Sequence, residues 1–169
     1  MSILKSQKSF RETEATKDMA APDGRKAYVP HSEDERPKME DVWMGAARLL
    51  AKRSQCKRRK VGCVITDHAQ RRVLGNGYNG RAAGVDVCPG TDPCCLHAEV
   101  NALIASGSNE KNKVMFVTVM PCEKCAMMII NSGFSRVVYD EEHDSVAGIR
   151  MLERGHVKAV SYHRRGEKQ

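Results

Sequence analysis

Two short runs of metal-binding residue types constrain this chain more than any other feature. Residues 97–99 read His-Ala-Glu, and residues 121–125 read Pro-Cys-Glu-Lys-Cys. One imidazole and two thiolates are good ligands for zinc, which usually takes four ligands in a tetrahedron. Three protein ligands leave the fourth corner open to water, as a catalytic zinc requires. The two runs therefore predict that His97, Cys122 and Cys125 form a zinc site.

The position of Glu99, two residues after His97, favours a catalytic zinc over a purely structural one. On the first turn of a helix, the Glu99 carboxylate could move protons at that water without binding the metal. A structural zinc would need a fourth protein ligand here, and it would leave Glu99 without a role. We therefore predict that Glu99 is the catalytic acid–base residue.

Length and composition fit one domain with a single core, because the chain has 169 residues and 41% of them are hydrophobic. No apolar run approaches the ~18 residues of a membrane span, and no secretory signal pattern opens the sequence. We therefore expect no membrane association and a cytoplasmic location. In that compartment the 7 cysteines predict metal ligands and free thiols before disulfides.

The net charge of +7 is concentrated in one basic segment and in the C-terminal tail. The basic residues concerned are Lys52, Arg53, Lys57, Arg58, Arg59, Lys60, Arg164, Arg165 and Lys168. Such a cluster indicates either a solvated face or a surface that faces phosphate, and both interpretations stay open. Aromatic residues make up only 5%, too few for a platform that stacks long single strands. We therefore do not expect a nucleic-acid partner.

Three segments differ in composition. Residues 1–36 mix charges of both signs with Ser, Thr, Ala and Pro and show no hydrophobic period, so they predict a flexible N-terminal extension. The alternative is an arm that lies on a neighbouring subunit. Hydrophobic periodicity begins after Pro37, which places the domain at residues 37–165 and a short tail at 166–169.

Periodicity and turn residues predict helices that alternate with strands after an initial hairpin. Helices are predicted at residues 37–53, 97–106, 122–130 and 145–153, and strands at 61–66, 73–78, 114–119, 134–139 and 157–162. This order predicts an α/β fold, a three-layer α/β/α sandwich with a mixed five-stranded sheet. Both metal-binding runs then lie at helix N-termini, where the helix dipole favours thiolates. Cys63 lies within a predicted strand and is expected to be a core thiol.

With these motifs placed, the chain resembles the cytidine deaminase superfamily and, within it, the deoxycytidylate (dCMP) deaminases. His-x-Glu followed by Pro-Cys-x-x-Cys is the signature of zinc-dependent nucleobase deaminases. The similarity covers about residues 42–160. It rests on Ser-Gln-Cys at 54–56 before Val-Gly at 61–62, Gly-Tyr-Asn-Gly at 77–80, His-Ala-Glu-Val-Asn-Ala at 97–102, Pro-Cys-Glu-Lys-Cys at 121–125 and Val-Val-Tyr at 137–139.

The resemblance implies a zinc-dependent hydrolase that converts dCMP to dUMP and ammonia and so supplies dUMP for thymidylate synthesis. It implies that His97, Cys122 and Cys125 bind the catalytic zinc. It further implies that attack occurs at C4 of cytosine, while Glu99 moves protons from water to the ring nitrogen N3 and to the leaving ammonia.

The resemblance also implies contacts with the substrate. The Ala98 backbone N–H would hold the pyrimidine O2, Asn79 would contact the sugar, and Tyr139 would line the nucleotide site. Judged from the residues themselves, Asn79 also fits a turn asparagine with positive φ, and Tyr139 also fits a core tyrosine at a strand end. Candidates for the phosphate contacts are Arg58, Lys60 and Arg81.

Four further cysteines could bind a second, structural zinc: two match positions where some members of the family bind such an ion, Cys56 and Cys88, and two neighbours could complete the site, Cys94 and Cys95. The alternative is that these residues are free thiols.

Regulation and assembly are further expectations from the resemblance. It implies that dCTP and dTTP act as effectors and that the chain forms a homo-oligomer, a hexamer or a dimer. Two other functions also fit the motifs. One is a deaminase of dCTP, cytidine or a base within nucleic acid, and the other is a non-catalytic zinc- or nucleic-acid-binding module that keeps this fold.

Overall fold

A mixed sheet of five strands positions the two metal-binding runs. The computed structural model describes residues 36–85, 95–143 and 145–162. The chain divides into two units, Met1–Arg36 and Pro37–Gln169, and all described residues except Arg36 belong to the second. The predicted extension at 1–36, apart from Arg36, and the predicted tail at 166–169 lie outside the described residues. The predicted domain boundaries therefore stay predictions.

Helices and strands alternate in the described residues in the predicted order. In chain order the elements are α1 (Met39–Ala51), β1 (Gly62–Thr66), β2 (Val73–Tyr78), α2 (Ala98–Ser106), β3 (Lys113–Val119), α3 (Glu123–Asn131), β4 (Phe134–Glu141), α4 (Ala147–Arg154) and β5 (Lys158–Ser161). The predicted bounds differ from these by at most two residues at any end. None of the helices in the described part of the chain combines the length and the apolar character needed to cross a membrane.

The strand order of the sheet is β2-β1-β3-β4-β5. Strand β1 pairs antiparallel with both β2 and β3, whereas β3, β4 and β5 run parallel. Every residue of β1 and β3 is buried, because helices cover both faces of these central strands. The predicted three-layer α/β/α sandwich with a mixed five-stranded sheet is therefore confirmed.

Two hydrophobic clusters lie on opposite faces of the sheet, because successive residues of a strand point to opposite sides. On one face, Met44 and Ala47 of α1 pack in a cluster with Val64 and Phe116. On the other face, α2, α3 and α4 pack against alternate residues of the same strands, among them Cys63. Cys63 is completely buried, so its prediction as a core thiol is confirmed.

Helix α4 begins at Ala147 instead of the predicted Ser145, and a local turn explains the difference. The Ser145 hydroxyl accepts a hydrogen bond from the Ala147 N–H at 3.3 Å, which holds these residues in a turn before the helix. The predicted ends of two helices are right. Gly155 follows α4, and Gly107 follows α2 in the left-handed conformation with φ of 48°.

Two glycines in β2 allow α2 to lie close against the sheet. A Cβ atom at Gly77 would lie 2.6 Å from the Ala102 backbone nitrogen, and one at Gly75 would lie 2.5 Å from the Ala102 carbonyl oxygen. Any side chain at these positions would push the helix away from the strand. The two glycines therefore set the position of α2, whose first turn carries Glu99.

Candidate metal centre and active site

The three predicted zinc ligands lie at the N-terminal ends of α2 and α3. His97 is the N-cap residue of α2, Cys122 is the N-cap residue of α3, and Cys125 lies in the first turn of α3. Both N-cap residues have extended backbone conformations, with ψ of 154° for His97 and 169° for Cys122. The chain therefore turns into a helix immediately after each of these two ligands.

The ligand atoms are spaced as a tetrahedral zinc requires. His97 Nδ1 lies 3.6 Å from Cys122 Sγ and 3.4 Å from Cys125 Sγ. A Zn–N bond of about 2.0 Å and a Zn–S bond of about 2.3 Å at tetrahedral angles place nitrogen and sulfur about 3.5 Å apart. Among the described residues, these three form the single group of His, Cys, Asp and Glu side chains close enough to hold a metal. The ligand group therefore fits zinc.

Hydrogen bonds within the ligand group make the two cysteines differ in acidity. Hydrogen bonds from Cys125 and His97 lower the pKa of Cys122 to about 3, which favours the thiolate form of Cys122. The hydrogen bond with Cys122, together with burial, raises the pKa of the Cys125 thiol. The same hydrogen bond to Cys122 raises the pKa of His97. Zinc binding to this group therefore requires the release of protons.

Glu99 lies in the first turn of α2 and is only 4% exposed. Burial raises the pKa of its carboxyl group above the usual value, because the charged form is poorly solvated there. A carboxyl group whose pKa lies closer to neutral can both accept and donate a proton at physiological pH. The structure thus places a buried carboxyl group with a raised pKa beside the predicted metal ligands.

A cavity of about 360 Å³ contains the ligand group in its wall, and we call it the metal cavity. The described residues that line it are Cys56, Arg58, Arg59, Val61, Asn79, Cys95, His97, Ala98, Glu99, Val119, Met120, Cys122 and His143. Its volume lies within the range of sites that bind small molecules. The lining residues range from completely buried, such as Ala98, to exposed, such as Arg58, so the cavity leads from the core to the surface.

Two of the three predicted substrate residues line the metal cavity. Ala98 is completely buried at the first position of α2, and Asn79 follows directly on β2. Tyr139 is not among the described lining residues. It lies in β4 at 6% exposure, within the cluster that packs against α2, α3 and α4. This is the core position of the alternative interpretation, and a contact between Tyr139 and a nucleotide stays a prediction.

The Asn79 side chain joins two neighbouring backbone segments. Its Oδ1 accepts a hydrogen bond from the Val61 N–H at 2.8 Å, and its Nδ2 donates one to the Arg59 carbonyl at 2.8 Å. Asn79 is not among the described residues with positive φ, so the left-handed turn of the alternative interpretation is wrong. An amide offers two donor and two acceptor positions, so one of each can still serve a ligand.

Two of the four cysteines predicted for a second zinc are described. Cys56 and Cys95 both line the metal cavity, and both also line a neighbouring cavity of about 420 Å³. Cys88 and Cys94 lie outside the described residues. The structure thus places the two described cysteines of this predicted ligand set in the lining of the same two cavities.

The basic segment contributes to both cavities. Arg58 and Arg59 line the metal cavity, whereas residues 52–53 line the neighbouring cavity. Of the other phosphate candidates, Arg81 lines the neighbouring cavity and Lys60 lines neither as far as the described residues show. Both interpretations of the basic segment, a solvated face and a surface that faces phosphate, stay open.

Gly148 supports the metal site from α4, and the sequence does not reveal this role. A Cβ atom at Gly148 would overlap the carbonyl oxygen of Pro121, the residue before the ligand Cys122. An isolated glycine inside a helical pattern suggests a packing reason, but it does not identify the partner. The close contact between α4 and this loop therefore appears only in the tertiary structure.

The comparison with known families agrees with this geometry. The family model described as "Cytidine and deoxycytidylate deaminase zinc-binding region" matches residues 37–141. The chain belongs to this deaminase family. The match includes all three ligands and Glu99, so the family resemblance expected from the motifs is confirmed.

Curated relatives of this deaminase-family chain differ in how much of their own length it matches. A deoxycytidylate deaminase of Mycobacterium phage D29 is 37% identical over 127 residues, which cover 63% of the chain and 98% of the relative. A deoxycytidylate deaminase of Saccharomyces cerevisiae is 35% identical over 124 residues, covering 64% of the chain and 39% of the relative. The chain thus corresponds to less than half the length of the yeast protein.

Solved structures show the same fold. The dCMP deaminase of cyanophage S-TIM5 in apo form is 34% identical with a TM-score of 0.66, and the match covers 75% of this chain and 98% of that one. The same phage enzyme in complex with dCMP and dUMP is 32% identical with a TM-score of 0.67 and covers the same shares. The cytidine deaminase-like architecture of the chain is therefore confirmed.

Replacing Gly148 by Ala should weaken zinc binding, because the added methyl group would displace the Pro121–Cys122 loop. We expect about a 10- to 100-fold loss of zinc affinity, the usual effect of disturbing residues that support metal ligands. Competition with a chromogenic chelator measures this affinity. Gly45→Ala is the matched control, since Gly45 is also helical but has nothing within 4 Å of its added Cβ. Equal zinc affinity in the two variants would contradict the prediction.

Proposed function

We propose that the chain is a zinc-dependent hydrolase that converts dCMP to dUMP and ammonia, and thereby supplies dUMP for thymidylate synthesis. The observation that carries this proposal is the buried Glu99 carboxyl beside a three-residue zinc ligand group in one cavity. The names of the phage D29 and yeast relatives support dCMP as the substrate. The S-TIM5 structure with dCMP and dUMP supports it further.

The proposed chemistry needs little beyond residues that the metal cavity contains. Bound zinc would supply an acidic water molecule, with a pKa near 7, at the open corner of its coordination sphere. Glu99 takes a proton from that water and delivers it to N3 of the cytosine ring. The oxygen of that water bonds to C4, and Glu99 takes its remaining proton and donates it to the amino group, which leaves as ammonia when the C4–N bond breaks. The raised pKa of Glu99 suits a group that must hold a proton between these two steps.

Two residues of the cavity wall orient the nucleoside in this proposal. The Ala98 N–H belongs to the first turn of α2, where backbone N–H groups have no partner within the helix, and it holds the pyrimidine O2. The Asn79 amide keeps one donor and one acceptor position for a hydroxyl group of the sugar. Both residues line the same cavity as Glu99.

Replacing Glu99 by Gln should abolish turnover while zinc stays bound. Glutamine keeps the size of the side chain but cannot transfer a proton, so we expect kcat to fall about 10²- to 10⁴-fold. Metal analysis and ammonia release on the same preparation measure both quantities. Glu123→Gln is the matched control, because Glu123 is exposed in the first turn of α3. Undiminished turnover in Glu99→Gln would refute the role of this residue.

A substrate panel should identify dCMP as the preferred substrate. We expect kcat/KM for ammonia release to be highest with dCMP among dCMP, dCTP, deoxycytidine, cytidine and a cytosine-containing single-stranded oligonucleotide. Indifference to the 5′-phosphate would favour a nucleoside deaminase, and preference for the oligonucleotide would favour a nucleic-acid deaminase. Metal binding without turnover of any of these compounds would favour the non-catalytic module.

A second, structural zinc stays part of the proposal. Its support is that Cys56 and Cys95 line the same two cavities, together with the family resemblance at Cys56 and Cys88, which Cys94 could complete. Metal analysis should find two zinc ions for each wild-type chain and one for Cys56→Ser. Cys63→Ala is the control, because this core thiol should leave both ions in place. A single zinc ion in the wild-type protein would rule out the second site.

Regulation, assembly and location stay predictions. We expect dCTP and dTTP to act as effectors, and we expect a homo-oligomer that is a hexamer or a dimer. We also expect a cytoplasmic location.

A further inference from the structure

Two of the sequence runs that carry the family resemblance contain polar residues without a role in the proposed chemistry. They are Ser54, in the Ser-Gln-Cys run, and Asn101, in the run that begins at His97. Ser54 follows α1 and is only 2% exposed, and Asn101 is half-buried in α2. Polar side chains in such places are expected to form hydrogen bonds. These two donate to the carbonyls of consecutive residues, Asn79 and Tyr78 respectively.

The peptide group on the N-terminal side of the Asn79 Cα atom is held at both of its polar atoms. Asn101 Nδ2 donates a hydrogen bond to the Tyr78 carbonyl at 2.8 Å. The Asn79 N–H donates one to the Val61 carbonyl at 3.0 Å. A planar peptide group bonded in this way cannot rotate without losing a hydrogen bond. Helix α2 and the segment before β1 therefore fix this peptide group together.

The peptide group on the C-terminal side of the same Cα atom is held in the same way. The Ser54 hydroxyl donates a hydrogen bond to the Asn79 carbonyl at 2.8 Å, and it accepts one from the Cys56 N–H at 3.2 Å. The Gly80 N–H donates one to the Leu96 carbonyl at 3.1 Å. Leu96 immediately precedes the first metal-binding run. The peptide group after Asn79 is therefore tied to the chain that leads into that run.

The two fixed peptide groups determine the direction in which the Asn79 side chain leaves the backbone. Both φ and ψ of Asn79 are constrained, so its Cα–Cβ bond keeps one orientation. The amide is fixed in turn by its hydrogen bonds with the Val61 N–H and the Arg59 carbonyl. Asn79 lines the metal cavity in this orientation. Of the four hydrogen bonds to the two peptide groups, those from Ser54 and Asn101 come from side chains, so substitution can remove them.

We propose that Ser54 and Asn101 are positioning residues that act through Asn79 and set the affinity of the metal cavity for the sugar hydroxyl of a deoxynucleotide. Neither residue is among the described lining residues of the cavity, so each acts on a ligand only through the backbone that it holds. The inference rests on the proposed function in one respect, namely that Asn79 contacts the sugar. The deoxyribose of a 5′-nucleotide has one free hydroxyl group, at the 3′ position, and this is the group concerned.

Two nucleotides that differ only in this hydroxyl group test the proposal without requiring turnover. They are dUMP and 2′,3′-dideoxyuridine 5′-monophosphate, which share the base and the phosphate. Titration calorimetry on the zinc-loaded protein should show about 10-fold tighter binding of dUMP, the upper range for one neutral hydrogen bond. Ser54→Ala and Asn101→Ala should each reduce this preference to about twofold, because dUMP loses a well-oriented partner while the dideoxynucleotide loses nothing.

Thr66→Val is the matched control. The Thr66 hydroxyl also donates to a backbone carbonyl, that of Asp67 at 3.0 Å, but it lies at the end of β1 remote from Val61. This variant should keep the wild-type preference for dUMP. Equal weakening of both nucleotides in Ser54→Ala and Asn101→Ala would show a purely structural role and overturn the proposal. An unchanged preference in these two variants, or no preference in the wild-type protein, would overturn it as well.

The two substitutions differ in their risk to folding. Ser54→Ala leaves the Asn79 carbonyl and the Cys56 N–H without the hydroxyl that both contact. Asn101→Ala places the best helix former at a half-buried helical position. If Ser54→Ala does not fold, the preference of Asn101→Ala decides the proposal by itself.

Double variants test whether the two residues act through Asn79. Asn79→Ala combined with either Ser54→Ala or Asn101→Ala should weaken dUMP binding no more than Asn79→Ala does by itself. A further loss in the double variants would show that the residues act by another route and would refute the positioning role. Turnover of dCMP by the wild-type protein is measured separately. Its absence refutes the proposed deaminase activity, while the comparison of the two nucleotides still decides this inference.

Discussion

The metal site depends on the close approach of the N-termini of α2 and α3, and the rest of the structure holds these two helix ends in place. His97 and Cys122 each stand at the last extended residue before a helix, and Cys125 lies one turn further along α3. Three ligand atoms from two elements can only meet at zinc-binding distances if both helices are held within a few tenths of an ångström. The helix dipoles at these ends also favour the thiolate form of Cys122.

Close backbone packing provides this precision. Gly77 in β2 lets α2 lie directly against the strand, and Gly148 in α4 lets that helix contact the loop before Cys122. Each contact joins backbone to backbone, so it cannot adjust by a change of rotamer as a side-chain contact could. The distances between the ligand atoms therefore depend on where the helices pack against the sheet and against each other.

The same cavity combines two electrostatic environments. Glu99 is buried, and the cost of desolvating its charge raises its pKa towards the range in which a carboxyl group exchanges protons. Arg58 and His143 line the same cavity, where Arg58 is exposed and His143 is half-buried.

Residue types and their spacing predicted the ligands, the acid–base residue, the order of the elements and the family. These features could be recognised because the metal-binding motifs and the hydrophobic periods each lie within a short stretch of neighbouring residues. The double hydrogen bond of the Asn79 amide and the later start of α4 could not be recognised in this way, and the sequence left open whether Tyr139 is a core residue. Each depends on which distant segment lies alongside.

The sequence by itself therefore determined which reactive side chains the site contains, since it specifies one imidazole, two thiols and one carboxyl at spacings that suit the starts of two helices. Only the tertiary structure decided which residues of the basic segment reach the cavity, because Arg58 and Arg59 line it while Lys60, one residue later, does not in the described part of the chain. Neighbouring side chains of an irregular loop point in directions that the backbone path sets. That path is fixed by contacts with Asn79 and with the end of β4, which are remote in sequence.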